Sequence, residues 1–167
     1  MPHLLLLRGA MGAGKSAVAK VLEGWPGIAI IEIDEIKLKK YGTTERCDPP
    51  IDFREAGAEA RRAMDAGNDA IVIEPLCERQ HLDFVLAGAG LFADMSNVLS
   101  VWLQCALATA LSRKGQHDPA VIEGQHRRYA TRHKLRNEVV IPTDETPIDQ
   151  VARQVLEILQ NRQASSS

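Results

Sequence analysis

Aromatic residues are scarce in this 167-residue chain, at 4%, so there are few platforms on which a strand of bases could stack. A strong charge balance is also missing. The net charge of −2 excludes a global positive field toward nucleic acid or acidic lipid and leaves anion binding to local clusters. The three cysteines, Cys47, Cys77 and Cys105, stand far apart without a CxxC pair, which argues for reduced thiols rather than a disulfide framework. No long apolar run occurs. Leu4 to Leu7 ends at Arg8, too short for a signal peptide or a membrane span. The expectation is a soluble cytoplasmic protein, monomer or homodimer, with no membrane partner.

What is present is an ordinary globular balance, 45% hydrophobic and 25% charged residues, enough for one domain with a real core. Strand-length apolar runs at 3–8, 28–33, 70–74, 98–103 and 138–141 alternate with helical patterns. That alternation predicts βαβ units and a parallel sheet covered on both faces. Val18, Val21, Leu22 and Trp25 mark a first helix, and Leu82, Val85, Leu86 and Ala89 mark a later one. Ile148, Val151, Val155, Ile158 and Leu159 give the last helix a buried stripe, with Pro147 at its first turn. A single domain over 1–162 with a disordered polar tail at 163–167 is expected.

Gly9-Ala10-Met11-Gly12-Ala13-Gly14-Lys15-Ser16 matches G-x-x-x-x-G-K-[ST] between a strand and an amphipathic helix, with Ala17 following in that helix. Such a loop curls so that successive N–H groups face phosphate oxygens, and the helix adds the positive end of its dipole. Lys15 should reach the β- and γ-phosphates and Ser16 should ligate Mg²⁺. The guanine-reading N-K-x-D is missing. A fragment at 111–116 imitates an ABC signature but follows, rather than precedes, the acidic end of the second strand.

The order of features is similar to that of the adenylate-kinase-like P-loop kinases. That group includes shikimate and gluconate kinases, adenylylsulfate kinase, chloramphenicol phosphotransferase and polynucleotide 5′-kinases. The resemblance runs through the P-loop, Ile33-Asp34-Glu35, Ile71-Val72-Ile73-Glu74, Val101-Trp102-Leu103, Arg113 and Ile141-Pro142-Thr143-Asp144. It implies a three-layer α/β P-loop fold, a five-stranded parallel sheet of order 2-3-1-4-5 with helices on both faces, and a small lid at about 113–136. It also implies ATP and Mg²⁺ as cofactors, with γ-phosphoryl transfer to a hydroxyl. By the resemblance Asp34 faces the acceptor hydroxyl and contributes to the metal site with Ser16. Glu74 touches metal or substrate, and Thr143 lies at the adenine edge. Pro75 behind Glu74 is a departure, since many such kinases carry Asp in place of that Glu.

Between 113 and 136, Arg113, Lys114, Arg127, Arg128, Arg132, Lys134 and Arg136 face only Asp118 and Glu123. Phosphoryl transfer needs such charge, and a lid that excludes water. Gln125, Arg128 and Arg132 are expected on one helical face with Arg127 on its flank. Lys15, Asp34, Arg113 and Arg128 are the catalytic candidates. Lys37, Arg54, Glu74 and Arg127 join Asp34 as acceptor-binding candidates. Lys39, Lys40, Tyr41, Arg46, Arg61 and Arg62 strengthen the expectation of an anionic acceptor. Two alternatives stay open. One is a polynucleotide 5′-hydroxyl kinase, the single case in which nucleic acid would be a partner. The other is a nucleotide-dependent switch or accessory ATPase.

Overall fold

The computed structural model describes residues 1–74 and 78–165. Pro75, Cys77 and the last two residues of the expected tail lie outside the described residues. Five strands, β1 (Leu4–Gly9), β2 (Ile28–Glu32), β3 (Asp69–Ile73), β4 (Val98–Gln104) and β5 (Glu138–Pro142), form one parallel sheet of order β2-β3-β1-β4-β5. Each strand falls within a residue or two of its expected run.

Among the described residues seven helices cover it: α1 (Lys15–Leu22), α2 (Ile33–Tyr41), α3 (Pro49–Asp65), α4 (Arg79–Ala89), α5 (Leu107–Arg113), α6 (Pro119–Tyr129) and α7 (Ile148–Ser165). β1 shows why the central run is unbroken. Leu4 and Leu6 enter the core under α3 and α4, while Leu5 and Leu7 enter the one under α1 and α7. All four are fully buried, each contributing about 1.5–3 kcal/mol of transfer free energy.

The α3–α4 crossing is set by two glycines. A Cβ on Gly57 would stand 2.0 Å from the Val85 carbonyl oxygen, and one on Gly88 would stand 2.1 Å from that of Arg54. The backbones therefore touch directly.

Several expectations change. Val21 and Trp25 are 37% and 44% exposed, because α1 ends at Leu22 and buries Val18, Ala19 and Leu22 instead. α7 runs on through Ser165, into the stretch expected as a frayed tail. Arg8 does not end the first strand at the surface. It is fully buried, donating from Nη1 to Glu138 Oε2 at 2.5 Å and to Ser100 Oγ at 3.4 Å, and from Nη2 to the His133 carbonyl at 2.6 Å. Among the described residues no helix is long and apolar enough to cross a membrane.

Candidate active site

The P-loop joins β1 to α1 at the carboxyl end of the sheet, where ligands of open α/β folds bind. Gly12 adopts φ +83°, and a Cβ there would lie 2.8 Å from Cα of Ala110, so only glycine fits both the turn and the approach of α5. Four successive carbonyls of the loop are engaged by side chains. Lys15 Nζ donates to Gly9 at 2.7 Å and Ala10 at 3.2 Å, and His126 Nε2 to Met11 at 3.2 Å. Arg113 Nη1 donates to Gly12 at 3.1 Å. Tying down the carbonyls holds the loop in a curl. Ala10 and Ala13 are buried behind it, Ala10 against Trp102 and Tyr129.

A cleft of about 690 Å³ opens from this loop. Lys15, Ser16 and Ala17 line it together with Asp34, Lys37 and Glu74 and with Lys114, His117 and Tyr129. Asp34 does not close β2 as the sequence suggests. The chain passes straight from Glu32 into α2, whose first turn buries Ile33 and presents Asp34. Lys37, one turn on, puts Nζ 2.9 Å from Asp34 Oδ1 and 3.6 Å from Glu74 Oε1.

The electrostatics follow from enclosure. Burial pushes Glu74 up to about 7, against the pull of Lys37. Glu32, also in the cleft, is raised by burial and by Glu35 and Asp34. Burial brings Lys15 down to about 8, against Glu74 and Asp34. For Lys37 burial alone would lower the pKa, but Glu74 and the Asp34 hydrogen bond outweigh it and the value is raised.

Other expected site residues lie elsewhere. Arg54 sits over the Phe84 ring, 5.6 Å from its centroid, on the α3–α4 face. Thr143 is fully buried, donating from its N–H to Gln104 at 2.8 Å, and both its hydroxyl and carbonyl accept from Arg113. Arg113, which also lines the cleft, is thus a brace between the P-loop and the turn after β5. α6 ends at Tyr129, so Arg132 is not on its face; it lies in the following turn, 3.9 Å above the Trp102 ring. Gln125 and Tyr129 share the face that α6 turns to the cleft, while Arg127 and Arg128 do not line it.

The basic stretch after β2 is neutralised within itself. Lys40 pairs with Asp52 and Glu55, Arg61 with Asp65, Arg62 with Glu59 and Lys39 with Glu35, and Arg46 covers Tyr41. Of its cations only Lys37 lines the cleft, beside Thr44 and Glu45. Glu32, Thr44 and Glu45 escaped the sequence reading. No motif marks them, and only the fold assembles them around the loop.

No family model matches the chain, and no curated protein matches it. Solved structures do. A sugar kinase from Janibacter sp. HTCC2649 superposes with a TM-score of 0.69 at 17% identity, over 96% of this chain and 95% of its own. The Mycobacterium tuberculosis APS kinase CysC, solved with AMPPNP and APS, gives 0.67 at 18% identity, over 95% and 98%. Shikimate kinase from Acinetobacter baumannii, solved with shikimate, gives 0.59 at 15% identity, over 96% and 94%. The chain shares the fold of these solved structures, built here on a five-stranded sheet with the P-loop strand order.

Proposed function

We propose that the protein is an ATP-dependent kinase that transfers the γ-phosphoryl group to a hydroxyl of a small molecule. The observation that carries this reading is the cleft itself. Its 690 Å³ extend from Lys15 to Asp34 and Lys37, room for a metabolite beside the nucleotide, where a switch protein would need only a surface. The P-loop N–H groups and Lys15 hold the phosphates, and Asp34 orients the acceptor hydroxyl and takes its proton, worth about 10²–10⁴ in rate.

The residues present fit Mg²⁺. That ion keeps several waters and uses one or two carboxylates with substrate phosphates rather than a protein cage. Ser16, Glu32, Asp34 and Glu74 line one cleft. Ser16 and Asp34 would hold the ion, with Glu74 acting through water. It would supply charge neutralisation for the β- and γ-phosphates. The turn at 114–118 carries Lys114 and His117 to the mouth of the cleft and serves as a lid, adding cations while keeping water from the phosphate.

The deciding experiment is a screen of sugars, shikimate-like acids, nucleosides and 5′-hydroxyl oligonucleotides with γ-labelled ATP. Label transferred to a small hydroxyl compound supports the reading. Transfer only to oligonucleotides would favour the polynucleotide alternative, and hydrolysis without transfer the accessory ATPase.

A further inference from the structure

A second concave site shares no lining residue with the cleft. Arg128, Thr131, Arg132, His133 and Lys134 form one side of a groove of about 560 Å³, and Glu78 and Arg79 form the other. Four permanent cations and a single carboxylate line it, in a chain whose net charge is −2; Arg79 also stands 3.7 Å from Asp83, in an exposed pair that solvent screens. On α6, Arg128 is turned ~100° from Tyr129, so groove and cleft lie around the same helix, within about one helix diameter, ~10 Å.

Three features make this more than a solvated basic patch. Arg132 is built in: its side chain is only 10% exposed, Nη2 donates to Glu138 Oε1 at 2.8 Å, and the guanidinium lies on Trp102. Its buried Nε has no partner among the described residues. Glu138 also serves Arg8, so its single charge does not cancel that of Arg132. The carboxylate of Glu78 lies against the Arg128 guanidinium and 3.6 Å from His81 Nε2, the place an incoming anion would take. Finally, the cations expected to meet an anionic acceptor after β2 are largely spent on internal pairs; of them Lys37, bonded to Asp34, lines the cleft, beside Lys15, Arg113 and Lys114.

We infer that this groove receives a phosphate group that the acceptor carries remote from its reacting hydroxyl. The inference rests on the kinase reading and narrows its substrate class to phosphorylated hydroxyl compounds. Guanidinium forks match phosphate oxygens bidentately, and Lys134 adds a mobile point charge. The groove is far larger than one carboxylate requires.

The test uses the full chain with its P-loop filled by AMP-PNP and Mg²⁺, so that added anion cannot enter there. Inorganic phosphate is titrated and followed through backbone and arginine Nε–H signals by NMR, with acetate and matched potassium chloride as controls. Saturable shifts are expected at Arg79, Arg128 and 131–134, with acetate at least ~10-fold weaker. Arg79→Gln combined with Lys134→Gln should weaken phosphate at least ~5-fold while AMP-PNP affinity stays unchanged. Shifts that follow ionic strength alone, that acetate reproduces equally, or that survive the double variant overturn the inference.

A second arm compares γ-labelled ATP transfer to sugars against sugar monophosphates, and to nucleosides against nucleoside monophosphates. A preference of at least ~10-fold for the phosphorylated member, lost in the double variant, is expected. No preference overturns the acceptor assignment even if phosphate binds. Failure of AMP-PNP to bind in the first step would instead defeat the kinase reading itself.

Discussion

Lys37 grips Asp34 within a single helix, Nζ to Oδ1 at 2.9 Å, and from the same position stands 3.6 Å from Glu74, the residue that follows β3. One ammonium thereby fixes two acids, one on α2 and one at the end of β3. Lys37→Met should release both. Loss of a positioned charge at the reacting centre is worth about 10²-fold or more in kcat. The ATP affinity should move little, since Lys37 is not part of the P-loop. Equal losses in ATP binding and transfer, by calorimetry and assay, would place Lys37 with the nucleotide.

Asp34→Asn separates orientation from proton transfer. The amide can still accept a hydrogen bond but cannot take the hydroxyl proton, so transfer should fall by about 10²–10⁴ with ATP affinity retained. Were ATP·Mg²⁺ binding to fall in step, Asp34 would act through the metal.

Lys15→Ala should leave the melting temperature close to that of the parent, because the side chain rests on loop carbonyls and not in the core. Turnover should fall by at least ~10². Lys15 also sets a pH limit. Burial brings it to about 8, so the free protein loses this charge as pH rises through that value. Nucleotide affinity should start to decline there, well below the ordinary lysine value of 10.5. A flat affinity from pH 7 to 10 would contradict the assignment.

Glu74 gives a stability test of opposite character. Its carboxyl is raised from 4.5 to about 7 in the fold, so between those values the folded chain holds a proton that the unfolded chain has released. Stability therefore falls as pH rises through this window and is level above it. Thermal melts of Glu74→Gln, compared with the parent from pH 4 to 8, should lack that component and show a higher Tm at neutral pH. Identical pH profiles would mean that Glu74 is solvated.

Arg8 and Glu138 supply the last prediction. Glu138→Gln removes the charge that two buried guanidiniums share, and breaking such a pair costs about 3–5 kcal/mol. Replacing all three partners with apolar residues, Arg8→Met and Arg132→Met with Glu138→Leu, should recover much of the loss by denaturant unfolding. If the triple variant is no more stable than Glu138→Gln, the network stabilises by more than mutual neutralisation.

Arg8 also shows where the sequence could not be read. Periodicity and the glycine-lysine-serine motif placed all five strands and the loop that lines the cleft, because those signals are local. An arginine after four leucines reads as a strand end, and nothing near it announces a carboxylate 130 positions later. Arg132 failed for a similar reason: helical spacing put it beside Arg128, but α6 stops at Tyr129. The basic run after β2 looked like an anion site because composition counts charges without pairing them. Lys37 was legible, being one turn from Asp34, whereas Glu32 and His126 depend on how the strands and α6 close around the loop.

The same buried arginine bears on how the sheet can close. β1 carries a guanidinium into the middle of the sheet, and the carboxylate that meets it stands on β5, 130 positions later. An unpaired charge is costly to bury, so seating β1 fully between β3 and β4 is coupled to the docking of β5 at the sheet edge. The loop that leaves the end of β1 therefore takes its final shape together with that far edge, not strand by strand.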